Sequence, residues 1–209
     1  MRLEQAESAH LIDAAVAALR AGELVVYPTE TFYGIAADPE SSTAMARIFA
    51  LKGRALGQPI ALIAADEVSA FALARQVPPL ACRLAGAFWP GPLTLVLPPR
   101  AGLHEAVLGP DGIGVRVSSH PVAQRLAAAF GRPITATSAN ASGQPAPAEL
   151  SAVRRWPADQ IKVLLEAGRL AGGVPSTILA VSNEGYRIIR HGAIGEHEIA
   201  AVAVQRERK

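Results

Sequence analysis

The 209-residue sequence is short of several things, and each shortage removes a class of explanation. It has one cysteine, Cys82, so an intramolecular disulfide and a multi-cysteine metal site are excluded. Aromatic residues make up 5% of the chain, which leaves Ala, Val, Leu and Ile to build the core. Charged residues are 18% and nearly balanced, with a formal net charge of +2, so no global field selects a partner. No apolar run reaches membrane-spanning length, and Met1-Arg-Leu-Glu-Gln-Ala-Glu7 has no apolar signal core. The chain therefore reads as cytoplasmic, with no membrane association. The familiar phosphate signatures G-x-x-x-x-G-K-[ST] and G-x-G-x-x-G are absent, as are H-E-x-x-H and any Cys/His cluster. A nucleotide site, if present, must come from separated cations, hydroxyls and loop amides.

What remains is ample core material, since half of the residues are hydrophobic. Apolar spacing predicts helices over 8–21, 42–52, 66–75, 78–88, 121–130 and 196–204. Short apolar runs predict strands at 24–27, 59–64, 94–97, 114–117, 133–138, 161–166, 176–181 and 186–190. Strands and helices intermingle without strict alternation, which predicts a mixed twisted sheet flanked by helices, an α/β protein of the α+β type. Cys82 falls in a predicted helix and reads as a small core residue. The turn-rich stretch 140–148 is a candidate hinge, and the tail Arg206-Glu-Arg-Lys209 reads as a solvated end of mixed charge.

Six constellations could carry chemistry. Pro28-Thr-Glu-Thr-Phe-Tyr-Gly34 sets Thr29, Glu30 and Thr31 at the carboxyl end of a strand, where ligands gather in open α/β sheets. Lys52-Gly-Arg54 pairs two anion binders across a flexible glycine. In Gly114-Val-Arg-Val-Ser118, alternation turns Arg116 and its small neighbours away from the two valines. Thr135-Ala-Thr-Ser-Ala-Asn140 sets Ser138 and Asn140 on one side. Pro175-Ser-Thr-Ile-Leu179 follows Gly172-Gly173, and Arg190-His-Gly-Ala-Ile194 closes a strand. Taken singly, each also reads as a turn, a helix cap or a surface cation.

Together, and in this order, these segments with Trp89-Pro-Gly-Pro92-Leu-Thr resemble the YrdC-like threonylcarbamoyl-AMP synthases. The resemblance runs from about residue 10 to residue 195 and implies one domain over 1–209, with a C-terminal helix and tail at 196–209. It implies a YrdC or dihydroxybutanone-phosphate-synthase-like fold around a basic concave cavity. Longer family members carry a second C-terminal domain that this chain is too short to hold. The implied reaction joins L-threonine, bicarbonate and ATP into threonylcarbamoyl-adenylate and pyrophosphate, with Mg²⁺ accompanying ATP. That is the first step toward N6-threonylcarbamoyladenosine at position 37 of tRNA. By position, Thr31, Arg116 and Ser176 would contact threonine, and Lys52, Arg54, Gln58, Ser138, Asn140 and Arg190 would contact ATP. Lys52 and Arg54 would be the catalytic cations cradling the triphosphate, and no resident metal site is implied. Two departures stand out: Ala55 replaces a frequent proline, and Ile63 stands where some members carry a histidine that helps hold threonine. Alternatives are a carbamoyl-phosphate-dependent carbamoyltransferase-like domain and a non-catalytic RNA-binding module, which the small net charge supports only weakly. Hand-over of the product to a tRNA threonylcarbamoyl-transferase complex and direct tRNA binding are left open.

Overall fold

Apolar spacing and its terminators shape most of the chain in the computed structural model, which describes residues 9–55, 57–153, 156, 157 and 159–204. Helix α1 (Ala9–Arg20) buries Ile12, Ala15, Val16, Ala18 and Leu19, one face at helical spacing. Helix α2 (Ser42–Lys52) starts at Ser41, whose hydroxyl accepts from the Ala44 amide, and stops at Gly53 in the left-handed region (φ 58°). Short α3 (Glu67–Phe71) begins in a capping box between Asp66 and Ser69. Prolines open α4 (Pro79–Phe88) and α5 (Pro121–Phe130), where a missing N–H costs nothing. Helices α6 (Leu150–Val153) and α7 (Glu196–Val204) follow.

The strands form two sheets. The smaller contains β1 (Val25–Pro28), β2 (Tyr33–Ala36), β8 (Thr137–Ser138) and β9 (Val163–Leu164), in the order β8-β2-β1-β9. The larger contains β3 (Leu62–Ala64), β4 (Leu93–Leu97), β5 (Leu108–Gly109), β6 (Gly112–Val117), β7 (Ile134–Thr135), β10 (Thr177–Ser182) and β11 (Gly185–Arg190). Its order is β11-β10-β4-β6-β3-β7, with β5 paired to β6. Parallel pairs (β1·β9, β3·β6, β4·β10) mix with antiparallel ones, as expected from the irregular alternation.

Two apolar clusters lie among these elements. One gathers side chains of α2, α3, α4 and α7 with Leu62, Leu95, Val115 and Val117. The other gathers α1 and α5 with Tyr27, Ile63 and Ile134. Residues 133–138, predicted as one strand, divide at Ala136, whose amide donates to Ala61 O (2.7 Å), and each half enters a different sheet. Thr135 stitches the sheets at this crossing. Its hydroxyl donates to Ile35 O (2.9 Å) and accepts from the Ala37 amide (2.9 Å), and its carbonyl accepts from the Tyr27 hydroxyl (2.9 Å).

Four expectations need correcting. Cys82 is exposed, because α4 turns Leu80, Ala81, Leu84 and Ala85 inward and position 82 falls on the opposite side. Strand β2 was not expected, since its four residues follow a run of turn formers. The strand predicted at 161–166 is shorter, pairing only at Val163–Leu164, and the helix predicted at 66–75 ends at Phe71. Segment 140–148 is tied down by the Pro147 carbonyl, which accepts from the Tyr33 amide (2.9 Å), and by the Ala148 carbonyl, which accepts from Leu170 (2.9 Å). The tail at 206–209 lies outside the described residues. Among the described residues, no helix is long and apolar enough to cross a membrane.

Candidate active site

Where the chain crosses between sheets, the side chains cannot fill the gap, and a cavity of about 320 Å³ remains. That is at the small end of the range for small-ligand pockets, roughly 300–1,000 Å³. Its wall is built by all six constellations, which contribute Thr29, Thr31, Arg54, Arg116, Ser138, Asn140, Ser176 and Arg190.

Arg116 arrives by strand alternation. Val115 and Val117 enter the first apolar cluster, and Arg116 points the other way into the cavity. Its guanidinium forms an ion pair with Glu30, whose second oxygen accepts from the Ser118 hydroxyl. Glu30 was read in the sequence only as a polar group after β1. Its pairing depends on the approach of β6, a contact no local pattern encodes.

Thr29 and Thr31 hold the turn after β1. The Thr29 hydroxyl donates to Phe32 O (2.7 Å) and accepts from the Phe32 amide (3.2 Å), and the two threonine hydroxyls lie 3.3 Å apart. Opposite them, Ser176 is buried, with its Oγ 3.2 Å from Thr94 Oγ1, a further cavity-lining hydroxyl the sequence did not single out. Arg190 binds Ser176 twice over, donating to its carbonyl (2.7 and 3.2 Å) and its hydroxyl (3.0 Å). Gly192 makes this possible. A Cβ there would sit 2.4 Å from Pro175 O and Thr177 N, so only glycine lets the chain after β11 lie against residues 175–177. Arg190 remains exposed overall, while partial burial and then the nearness of Arg116 hold its pKa below the usual arginine value.

Arg54 is held by neutral oxygens as well, donating to Gln58 O (3.2 Å) and Pro59 O (2.8 Å), and burial lowers its pKa. Gln58 is exposed and contributes its carbonyl to Arg54; it does not line the cavity. Lys52 is not in the lining either. It is 3% exposed, and its ammonium donates to the carbonyls of Ser138 (2.5 Å) and Asn140 (2.6 Å). The Lys52 carbonyl in turn accepts from the Ser142 amide (2.8 Å), so one residue at the end of α2 grips the 138–142 loop from both sides. Burial, then the Arg54 charge, pushes the Lys52 pKa down to about 8.

Asn140 spends its amide N–H groups on Ala141 O (2.9 Å) and Gln144 O (2.5 Å). Its buried Oδ1 has no hydrogen-bond partner among the described residues, a position a ligand donor would satisfy. Ile63 packs in the cluster under α1 and α5 and does not line the cavity, and Ala55 is exposed beside Arg54. Among the described residues, no group of three or more His, Cys, Asp or Glu side chains could hold a metal ion.

A cavity with three guanidinium groups and a ring of hydroxyls, built from segments in this order, coincides with a match over residues 17–192 to the Sua5/YciO/YrdC family model, which carries the description "Telomere recombination". The chain belongs to this family. It is 36% identical over 185 residues to the threonylcarbamoyl-AMP synthase of Pyrococcus abyssi, covering 88% of this chain and 54% of that one. It is 42% identical over 161 residues to the threonylcarbamoyl-AMP synthase of Vibrio cholerae, covering 76% of this chain and 85% of that one. The fold agrees. The crystal structure of P. abyssi Sua5 complexed with L-threonine superposes with a TM-score of 0.86 at 36% identity, covering 91% of this chain and 56% of that one. Escherichia coli YciO superposes at 0.79 with 28% identity, covering 89% and 91%. The chain spans about half the length of the P. abyssi and Bacillus subtilis relatives it matches (54% and 55%).

Proposed function

We propose that this chain is a threonylcarbamoyl-AMP synthase, making threonylcarbamoyl-adenylate and pyrophosphate from L-threonine, bicarbonate and ATP. The observation that carries this reading is the convergence of Arg54, Arg116 and Arg190 with Ser138, Asn140 and Ser176 on one cavity, in a chain of this family. In the reaction, the threonine amine and bicarbonate condense with loss of water to an N-carboxy anion. A carboxylate oxygen of that anion attacks the α-phosphorus of ATP, and the bond to pyrophosphate breaks.

Two anions must meet, so the site's work is charge neutralisation and alignment rather than proton abstraction by a strong base. Arg54 and Arg190, held by neutral oxygens, keep their full charge for the polyphosphate. Arg116 takes the threonine carboxylate, with the hydroxyls of Thr31 and Ser176 nearby. Asn140 Oδ1 accepts from a ribose hydroxyl, and Ser138 donates to the nucleotide. Lys52 acts by fixing the loop that presents Ser138 and Asn140. Mg²⁺ enters as the counter-ion of the triphosphate, as part of the substrate. The reading places the enzyme in the cytoplasm, with the adenylate passed on for transfer to tRNA.

The test is pyrophosphate release from ATP, Mg²⁺ and bicarbonate, with and without L-threonine, with pyrophosphatase present to draw off product. Release that requires both threonine and bicarbonate is the expected result. Folded protein that releases none would refute the reading, and carbamoyl phosphate and RNA would then be tried as donor and ligand.

A further inference from the structure

The three cavity guanidinium groups are not held alike. Arg54 and Arg190 rest on carbonyl and hydroxyl oxygens, whereas Arg116 is paired to a carboxylate. The Arg116 and Glu30 side chains are 9% and 14% exposed, so solvent screens the pair little. Glu30 is fixed at both oxygens, to Arg116 and to Ser118, which stand two residues apart on the same side of β6 and its extension. The residues flanking Glu30, Thr29 and Thr31, both line the cavity. Two of the three cavity cations, Arg54 and Arg190, are therefore uncompensated. The third, Arg116, is a guanidinium whose charge is cancelled, in a wall that also carries the hydroxyls of Thr29, Thr31, Thr94 and Ser176.

These two environments suit two ligands. A polyphosphate gains most where the cations are uncompensated. An amino acid is a zwitterion with no net charge, and gains from an oriented donor more than from a net field. A bare Arg116 near Arg190 would extend the positive surface and invite phosphate oxygens onto the guanidinium meant for the amino acid. Neutral acceptors could not prevent this, because they orient a guanidinium without cancelling its charge.

We propose that Glu30 is the positioning residue that reserves Arg116 for the amino-acid carboxylate, by fixing its guanidinium and cancelling the charge that would draw phosphate there. This rests on the proposed function and adds to it a residue that sorts the substrates between compensated and uncompensated cations. Glu30 acts through Arg116 and touches no reacting atom.

The experiment is calorimetric titration of the wild-type protein and Glu30→Gln with L-threonine, with ATP·Mg²⁺ and with inorganic phosphate, alone and in competition. In Glu30→Gln, threonine is expected to bind roughly tenfold more weakly or worse, the loss of about one charge-assisted contact. ATP is expected to bind as well or better, and phosphate to compete with threonine, which it does not do in the wild type. A scaffolding role alone would weaken both substrates together and create no phosphate competition, and that result would overturn the proposal. So would unchanged threonine affinity. Glu30→Gln leaves Arg116 buried without its counter-charge and can fail to fold; Ser118→Ala then takes its place, since it keeps both charges and frees one carboxylate oxygen. It should weaken threonine a few-fold, roughly two to five, without admitting phosphate; no change in threonine affinity there would overturn the proposal too. If the wild type binds no threonine, the proposed function and this inference fall together. If it binds threonine and the variants match it, only this inference fails.

Discussion

The cavity uses the same residue type in two opposite ways. Arg54 and Arg190 are steered by Gln58, Pro59 and Ser176 through neutral oxygens. Arg116 is steered by a carboxylate. Both devices fix a long, rotatable side chain, and each contact removes conformational freedom before the ligand arrives. They differ in what is left over: a carbonyl leaves the cation whole, and a carboxylate spends it. Lys52 belongs with the first group, a buried ammonium on two carbonyls, but there the charge shapes a loop.

The largest effect should come from breaking the seat of Arg190 on Ser176. Gly192→Ala drives a methyl group to 2.4 Å from backbone atoms of residues 175–177, so the chain must shift and carry Arg190 off Ser176. Turnover should drop on the order of 10²-fold, as displacements of about 1 Å do, and steady-state pyrophosphate release measures it. Activity within a few-fold of wild type would show that Arg190 need not sit on Ser176.

Next come the cations themselves. Arg54→Ala or Arg190→Ala should raise the KM for ATP, and Arg116→Ala the KM for threonine, each by roughly one to two orders of magnitude. If the three variants raise both constants alike, the division of labour between the cations is wrong. An Arg54→Ala enzyme with unchanged kinetics would remove that residue from the site.

Lys52→Met sharpens the comparison through stability. It strips two buried carbonyls of their donor, at about 1–3 kcal/mol each before the gain from no longer burying a charge, so the melting temperature should fall. The pH dependence has a definite sign. Folded Lys52 loses its proton near 8, below the 10.5 of a free lysine, so between those values the unfolded chain holds more protons and stability rises with pH. The deficit of Lys52→Met relative to wild type should therefore widen from pH 8 toward 10.5, in denaturant titrations at several pH values. A deficit independent of pH would place the ammonium in solvent. The smallest effect is expected for Thr94→Val, which removes one hydroxyl beside Ser176 and should raise the threonine KM a few-fold with ATP unaffected.

Much of this was legible in the sequence where the signal is local. Helices α1, α2, α4, α5 and α7 follow from apolar spacing with capping and proline signals, and the facing of Arg116 follows from period-2 alternation. What was not legible depends on partners distant in the chain. Glu30 is 86 residues from Arg116, and its neighbours in the sequence look like an ordinary turn. Lys52 reads as a cation at a helix end, and its partners are backbone carbonyls at 138 and 140, which leave no side-chain signature. The division of 133–138 between two sheets turns on hydrogen bonds of Thr135 and Ala136 to remote strands, while the apolar pattern runs through unbroken. Gln58 shows the converse, a side chain selected by position whose backbone carbonyl makes the contact.

The most direct test of this division between the cations is the salt dependence of binding. Calorimetric affinities for ATP·Mg²⁺ and for L-threonine would be measured in the wild-type protein from about 0.05 to 0.5 M salt, a range that shortens the screening length severalfold. ATP affinity should fall roughly tenfold or more, and threonine affinity should change by less than about twofold. Equal salt dependence for the two ligands would mean that Arg116 is as uncompensated as Arg54 and Arg190, and the division into compensated and uncompensated cations would be wrong.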